Sequence, residues 1–363
     1  MGQQGLENIR EFAQGKRRGT DNQTVAGWYA ALSESECRQW AETLLADAPP
    51  NEDQLLYLAC LSAFGFKGLH EQLFSRQIFY PALLYQGADT QTRDRILELL
   101  LQSDPPQPDN LLKALAWIGD EGVQQQFQAW RLQAPVWRTQ LYVGPEAYAP
   151  EAGWELTPGG ERRNLVSALA YALLPAASPD DSPVRVALPR EDTCNWCRRG
   201  LIDLFSLDLT DVRLAIPGWP GNTLKIVTCQ VCTCFAPVFM QVDANGQGHW
   251  HPKAQSVPAD LPEDVLAGGD GWQQIPADRL QLAESPRAPL SAAHEFTLSR
   301  TSGLGGYPAW VQDAAYPACP DCGHQMPFVA QLKMDEVEEY AEGVYYAFAC
   351  SDCRVTATAY QQT

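Results

Sequence analysis

The sequence predicts an α+β protein, all-α in its first part and β-rich in its second, with two four-cysteine metal sites in the β-rich part. Three observations predict it. The first part is built of capped segments with helical spacing of apolar residues. The second holds runs of Val, Tyr, Phe and Thr separated by proline and by an Asn-Gly turn. Nine of the 11 cysteines fall between Cys194 and Cys353, eight of them as four Cys-x-x-Cys pairs. A length of 363 residues suits two domains, and a 45% hydrophobic content is enough to bury cores in both. The expected division is 1–155 and 156–363. It is placed at Thr157-Pro158-Gly159-Gly160, with Ala176 to Pro183 as the other candidate linker.

In the first part, Ser33 to Glu36 reads as a capping box opening a helix to about Ala46. Pro49-Pro50 stops that helix, and Asn51 caps the next, which carries Leu55, Leu56, Leu58, Ala59, Cys60 and Phe64. Asp89 starts another through Ile96, Leu97 and Leu100. Asp104 to Pro108 breaks it, and Asp109 is expected to cap a helix through Leu111, Leu115 and Trp117. A Gly119-Asp120 turn then leads into a last helix from Val123 to Trp130. This last pair, Ala114 to Glu121 followed by Val123 and Phe127, resembles a HEAT repeat. No fixed internal period runs through the segment, so an irregular helical bundle stays open beside the repeat reading. Cys37 and Cys60 lie on helical faces and read as core.

In the second part, Val238 to Val242 and His249 to His251 flank an Asn245-Gly246 turn, the signal of a hairpin. Met326 to Met334, Gly343 to Ala349 and Val355 to Tyr360 read as strands. The four Cys-x-x-Cys pairs stand beside such runs, as in zinc ribbons. Two residues between ligands let a tight turn aim both thiolates at one ion, and two such turns complete a tetrahedron. Pairing neighbours in sequence predicts two structural Zn²⁺, one held by Cys194, Cys197, Cys229 and Cys232, the other by Cys319, Cys322, Cys350 and Cys353. Gly323 is expected to relax the turn behind Cys322. A four-thiolate site can supply roughly 10 kcal/mol or more of folding free energy. Cys234 reads as a buried strand residue, with a place in the first site open to it. His324 reads as a local hydrogen-bonding partner of the second site, and His249 and His251 as an exposed hairpin end.

Rival chemistry fits less well. A thioredoxin-like site uses one Cys-x-x-Cys pair at the start of a helix, and disulfides need an oxidising compartment. The first residues show no export signal and no 18-residue apolar run follows, so a cytoplasmic location is expected. No P-loop, His-Glu-x-x-His, Gly-x-Ser-x-Gly or zinc-deaminase pattern is present, which favours a protein that is not an enzyme. With 44 acids against 26 bases, the net charge of −18 argues against nucleic acid and anionic membranes as ligands and allows a basic protein partner. The acidic run around Asp335, Glu336, Glu338, Glu339 and Tyr340 reads as a solvated loop or as a docking patch for such a partner.

The stretch Leu304-Gly305-Gly306-Tyr307-Pro308-Ala309-Trp310, followed by Cys319-Pro320-Asp321-Cys322-Gly323 and Met326 to Leu332, resembles the YwqG-like family of bacterial proteins. A similar motif occurs in the eukaryotic programmed-cell-death-two family. In it the two glycines permit a tight turn and Trp310 is expected to anchor the turn in the core. The resemblance implies protein binding: a bacterial immunity protein that occludes a cognate toxin, or a client-specific chaperone or assembly adaptor. An enzyme with an unfamiliar site in the β-rich part is the third reading.

Overall fold

Side-chain caps set the helices of the first part. In the computed structural model, which describes residues 2–62, 64–102, 104–176, 182–214, 216, 218–254, 256–267, 280–294, 298–338 and 341–363, these are α1 (Gly2–Ala13), α2 (Asn22–Ala30), α3 (Glu34–Ala46), α4 (Glu52–Leu61), α5 (His70–Ser75), α6 (Thr90–Leu100), α7 (Pro108–Ile118) and α8 (Glu121–Leu132). The Ser33 hydroxyl accepts from the Glu36 N–H while the Glu36 carboxylate accepts from the Ser33 N–H, closing the capping box. Asn51, Asp89 and Asp120 accept from the N–H groups of Gln54, Thr92 and Val123.

Asp109 does not cap α7. Pro108 occupies the first turn, where its missing N–H costs nothing, so the helix starts two residues earlier and Asp109 instead accepts from the Tyr148 hydroxyl. Gly119 ends α7 in the left-handed region, at φ +54°, which frees the chain to turn into α8. Leu55, Leu58, Ile96, Leu111, Leu115 and Phe127 are fully buried and form the core of this unit.

The chain divides into two compact units at Leu165/Val166, ten residues beyond the expected 155/156, and the first unit also takes in Ser299. Residues 157–160 are not a linker but the turn of a hairpin between β1 (Trp154–Leu156) and β2 (Arg162–Asn164). That hairpin belongs to the helical unit. Trp154 stacks on Phe127 at 5.9 Å and its indole N–H donates to the Ala116 carbonyl at 2.8 Å. The other candidate linker lies largely outside the described residues.

The second unit contains β3 (Ser167–Pro175), β4 (Val184–Thr193), β5 (Gly200–Asp208), β6 (Thr223–Thr228), β7 (Val238–Val242), β8 (Gly248–Trp250), α9 (Glu263–Leu266), β9 (Leu280–Leu282), β10 (Gly303–Gly306), β11 (Phe328–Lys333), β12 (Val344–Cys350) and β13 (Val355–Gln361). Among the described residues, eight strands pair antiparallel in the order β8-β7-β13-β12-β11-β10-β3-β9, and β4-β5-β6 form a second sheet. The two sheets share one core. Val186, Phe205 and Ile226 from the smaller meet Leu332, Tyr345 and Ala347 from the larger.

The opposite face of the large sheet is covered by the Trp310 segment, so β12 is buried at every position. Tyr346 and Phe348 of β12 lie under Trp310 at 4.7 and 6.3 Å. Among the described residues this covering segment has no strand partner, and side chains satisfy its backbone. The Ala309 N–H donates to Gln331, the Ala309 carbonyl accepts from the Tyr346 hydroxyl, and the N–H groups of Val311 and Gln312 donate to Gln361. Gly305 sits at φ +64° in a bulge where a Cβ would lie 2.0 Å from the Leu169 carbonyl, so only glycine fits. Trp310 packs on the sheet as expected but stays half-buried.

Candidate metal centres

Each predicted cluster is assembled. Cys194 and Cys197 close the β4–β5 hairpin, and Cys229 and Cys232 follow β6, which pairs with β5. Antiparallel pairing brings the start of β5 and the end of β6 to the same edge, so the two turns face each other. The second cluster repeats this order. Cys319 and Cys322 precede β11, which pairs with β12, and Cys350 and Cys353 close the β12–β13 hairpin.

Within each group the four sulfurs lie within 4.8 Å of one another. Cys194 and Cys232 are 3.7 Å apart, Cys197 and Cys229 3.6 Å, and Cys322 and Cys350 3.9 Å, with every cysteine unbridged. A metal–sulfur distance of about 2.3 Å sets a tetrahedral edge of about 3.8 Å, so the spacing fits an ion at each centre. A disulfide would need about 2.05 Å.

The electrostatics point the same way. Hydrogen bonds from Cys194, Cys229 and Cys232 stabilise the Cys197 thiolate, whereas contacts with Cys194 and Cys197 push the Cys229 and Cys232 thiols well above their ordinary value. Four thiolates this close repel, and a central cation removes the conflict.

The turns are built alike. The N–H groups of Arg198, Gly323 and Thr233 donate to the carbonyls of Cys194, Cys319 and Cys229, four residues back. The residue after the second cysteine is left-handed in three of the four turns: Arg198 at φ +62°, Gly323 at +76° and Arg354 at +53°. Gly323 therefore plays its expected part, while two arginines hold the same conformation under strain.

Cys234 stands outside the first cluster. It is exposed, and its thiol donates to the Gln230 carbonyl at 3.3 Å, which corrects its reading as a buried strand residue. His324 contributes through its backbone: its carbonyl accepts from Cys319 at 2.8 Å, and its N–H supports the Cys322 thiolate.

Three supports of the clusters were not foreseen in the sequence. His251 is fully buried, unlike exposed His249. Its Nδ1 accepts from the Lys253 N–H, so Nε2 carries the proton and donates to Asp321 at 3.1 Å, inside the third Cys-x-x-Cys turn. The Lys253 ammonium lies 2.5 Å from the other Asp321 oxygen. The Tyr345 hydroxyl of β12 donates to the Gln230 carbonyl inside the second turn, at 3.1 Å. Thr358 of β13 donates to Thr228, which stands 2.5 Å from Thr233. The strands that carry the second cluster thus brace the turns of the first. Trp196, in the first turn, packs on Trp250 at 5.2 Å, next to His251.

No family model and no solved structure matches this chain. The uncharacterised protein YpfL of Salmonella typhimurium (strain LT2) is 39% identical over 347 residues, which cover 92% of this chain and 79% of that protein. The chain belongs to the YpfL family.

In this YpfL-family chain the acidic run divides. Glu336 is mostly buried and accepts from the N–H groups of Thr301 and Ser302 at 2.7 and 3.1 Å, with Arg300 beside it at 3.3 Å. Its carboxylate secures the approach to β10 and is not an open docking charge, a correction to the expectation for that residue. Asp335 is exposed and pairs with Lys333 at 3.1 Å, and Glu338 is half-buried. Glu339 and Tyr340 lie outside the described residues. In the helical unit, Leu32, Glu34, Cys37, Phe64 and Lys67 line a cleft of about 450 Å³, in which burial pushes the Cys37 thiol up and keeps it protonated. Among the described residues, no helix is long and apolar enough to cross a membrane.

Proposed function

We propose that each cluster binds one structural Zn²⁺, and that the protein works by binding another protein, as the immunity partner of a toxin. The sulfur spacing, close to the edge of a four-sulfur zinc tetrahedron, carries the metal reading. A shell of four thiolates leaves no open position for water or substrate, which supports a structural role.

The binding reading rests on the surface of the helical unit. Leu132, Val136 and Tyr142 are 78%, 86% and 103% exposed within one short stretch, apolar area that a partner would cover. The charge of −18 would speed capture of a basic toxin, whose active site or substrate surface the bound protein would cover. The YwqG-like motif at 304–332 adds the immunity association.

The test is co-expression with the product of each adjacent gene, scoring rescue from toxicity and co-purification, with Leu132→Asp and Tyr142→Ala as disrupting variants. Rescue that these variants abolish supports the reading, and toxicity without rescue sinks it. The same exposed apolar side chains favour a client-specific chaperone or adaptor as the second reading, in which the partner misfolds when the protein is lost.

A further inference from the structure

The two clusters have the same donors but different shelter. In the first, all four cysteines are buried and Trp196, Leu201, Val231, Val238, Met240 and Leu261 pack around them. The Arg199 guanidinium donates to the Val265 carbonyl at 2.9 Å, holding α9 beside that core. In the second, Cys319 and Cys350 are buried, but Cys322 is exposed and Cys353 half-exposed. Asp321, Cys322 and Gly323 face solvent in succession, and a Cβ on Gly323 would meet nothing within 4 Å. The sulfur of this exposed Cys322 lies 3.9 Å from that of Cys350, close enough for a small movement to bond them.

We propose that the second cluster is an oxidation site, at which a peroxide joins Cys322 to Cys350 and expels the metal while the first cluster keeps its own. This rests on the zinc reading above. The Cys322 thiolate attacks one oxygen of hydrogen peroxide. The O–O bond breaks, leaving a sulfenic acid and hydroxide. The Cys350 thiolate then attacks the oxidised sulfur, the S–S bond forms, the S–O bond breaks and a second hydroxide leaves. Two protons from solvent convert both hydroxides to water. The two sulfurs together lose two electrons, which reduce the peroxide. Zn²⁺ is left with Cys319 and Cys353 alone and dissociates.

The first cluster has the same thiolates, but all four of its cysteines are buried. Susceptibility follows exposure as well as thiolate character, so the difference between the clusters is one of access.

The experiment uses the full-length protein, with zinc counted before oxidation. Hydrogen peroxide is added with a colorimetric zinc chelator, and cysteines are mapped by differential alkylation and mass spectrometry. One zinc per chain should leave at least ten times faster than the other, with the new disulfide joining Cys322 to Cys350. Release of both ions together, release of neither, or a first disulfide other than Cys322 to Cys350 overturns the proposal alone. A protein with no zinc before oxidation overturns the zinc reading and this proposal with it.

Discussion

Replacing Gln331 by leucine tests how the Trp310 segment is held. Gln331 is 1% exposed on β11, and its amide accepts from the Ala309 N–H at 2.8 Å and donates to the Thr301 carbonyl at 2.9 Å. Leucine has a similar volume, so the change opens little cavity but orphans one buried N–H and takes a donor from two carbonyls, those of Thr301 and, at 3.4 Å, Ala292. Each orphaned buried group costs about 1–3 kcal/mol. The Thr301 carbonyl keeps a second donor in Arg287, at 3.3 Å, so the expected loss is about 2–4 kcal/mol. For a unit of this size that lowers the melting temperature by roughly 5–15 °C. Thermal unfolding followed by tryptophan fluorescence is the assay, with Gln331→Glu as a companion that keeps the acceptor, loses the donor and buries a charge. A loss under about 1 kcal/mol in both variants would refute the reasoning that side chains hold this segment in place of a strand partner.

Two other outcomes follow from local geometry. Arg354→Gly should stabilise the protein by about 0.5–1 kcal/mol and Gly323→Ala should destabilise it by about 1 kcal/mol, because the two positions share one left-handed conformation; urea midpoints of the metal-loaded variants check the opposite signs. Asp89→Ala should cost the helical unit about 1 kcal/mol at neutral pH. Hydrogen bonds from the Thr92 N–H and hydroxyl hold the Asp89 pKa below its ordinary value, so its contribution is present above the unfolded pKa and lost as pH falls through the lower folded one. Variant and parent should therefore converge in urea titrations as pH falls below the ordinary carboxylate range.

The metal clusters were legible because their spacing is local: two residues between thiolates encode a turn, whatever the rest of the chain does. The caps at Ser33, Asn51 and Asp89 were legible for the same reason. β3 was not. Its sequence, Ser-Ala-Leu-Ala-Tyr-Ala-Leu-Leu-Pro, is rich in good helix formers, and only pairing with β10 and β9 makes it a strand. β4 was hidden by Pro189 and by charges that face solvent at an edge. The supports at His251, Tyr345 and Thr358 lie 70 to 130 residues from the groups they brace, a separation no local pattern records. Glu336 misled because a run of acids reads as a solvated face, whereas this carboxylate turns inward to two backbone N–H groups. The turn at 157–160 misled because proline and glycine mark hairpins as readily as linkers.

The place of β13 has a consequence for biosynthesis. It comes last among the strands in chain order yet lies between β7 and β12 in the large sheet. A ribosome adding about 5–20 residues per second needs roughly 6–23 s to pass from β7 to β13. Throughout that interval the β7–β8 hairpin waits without its neighbour. Cys194, Cys197, Cys229 and Cys232 have by then all been made, so the first cluster can assemble before the second set of ligands is complete. The two ligand sets are thereby completed in order, the first at Cys232 and the second only at Cys353.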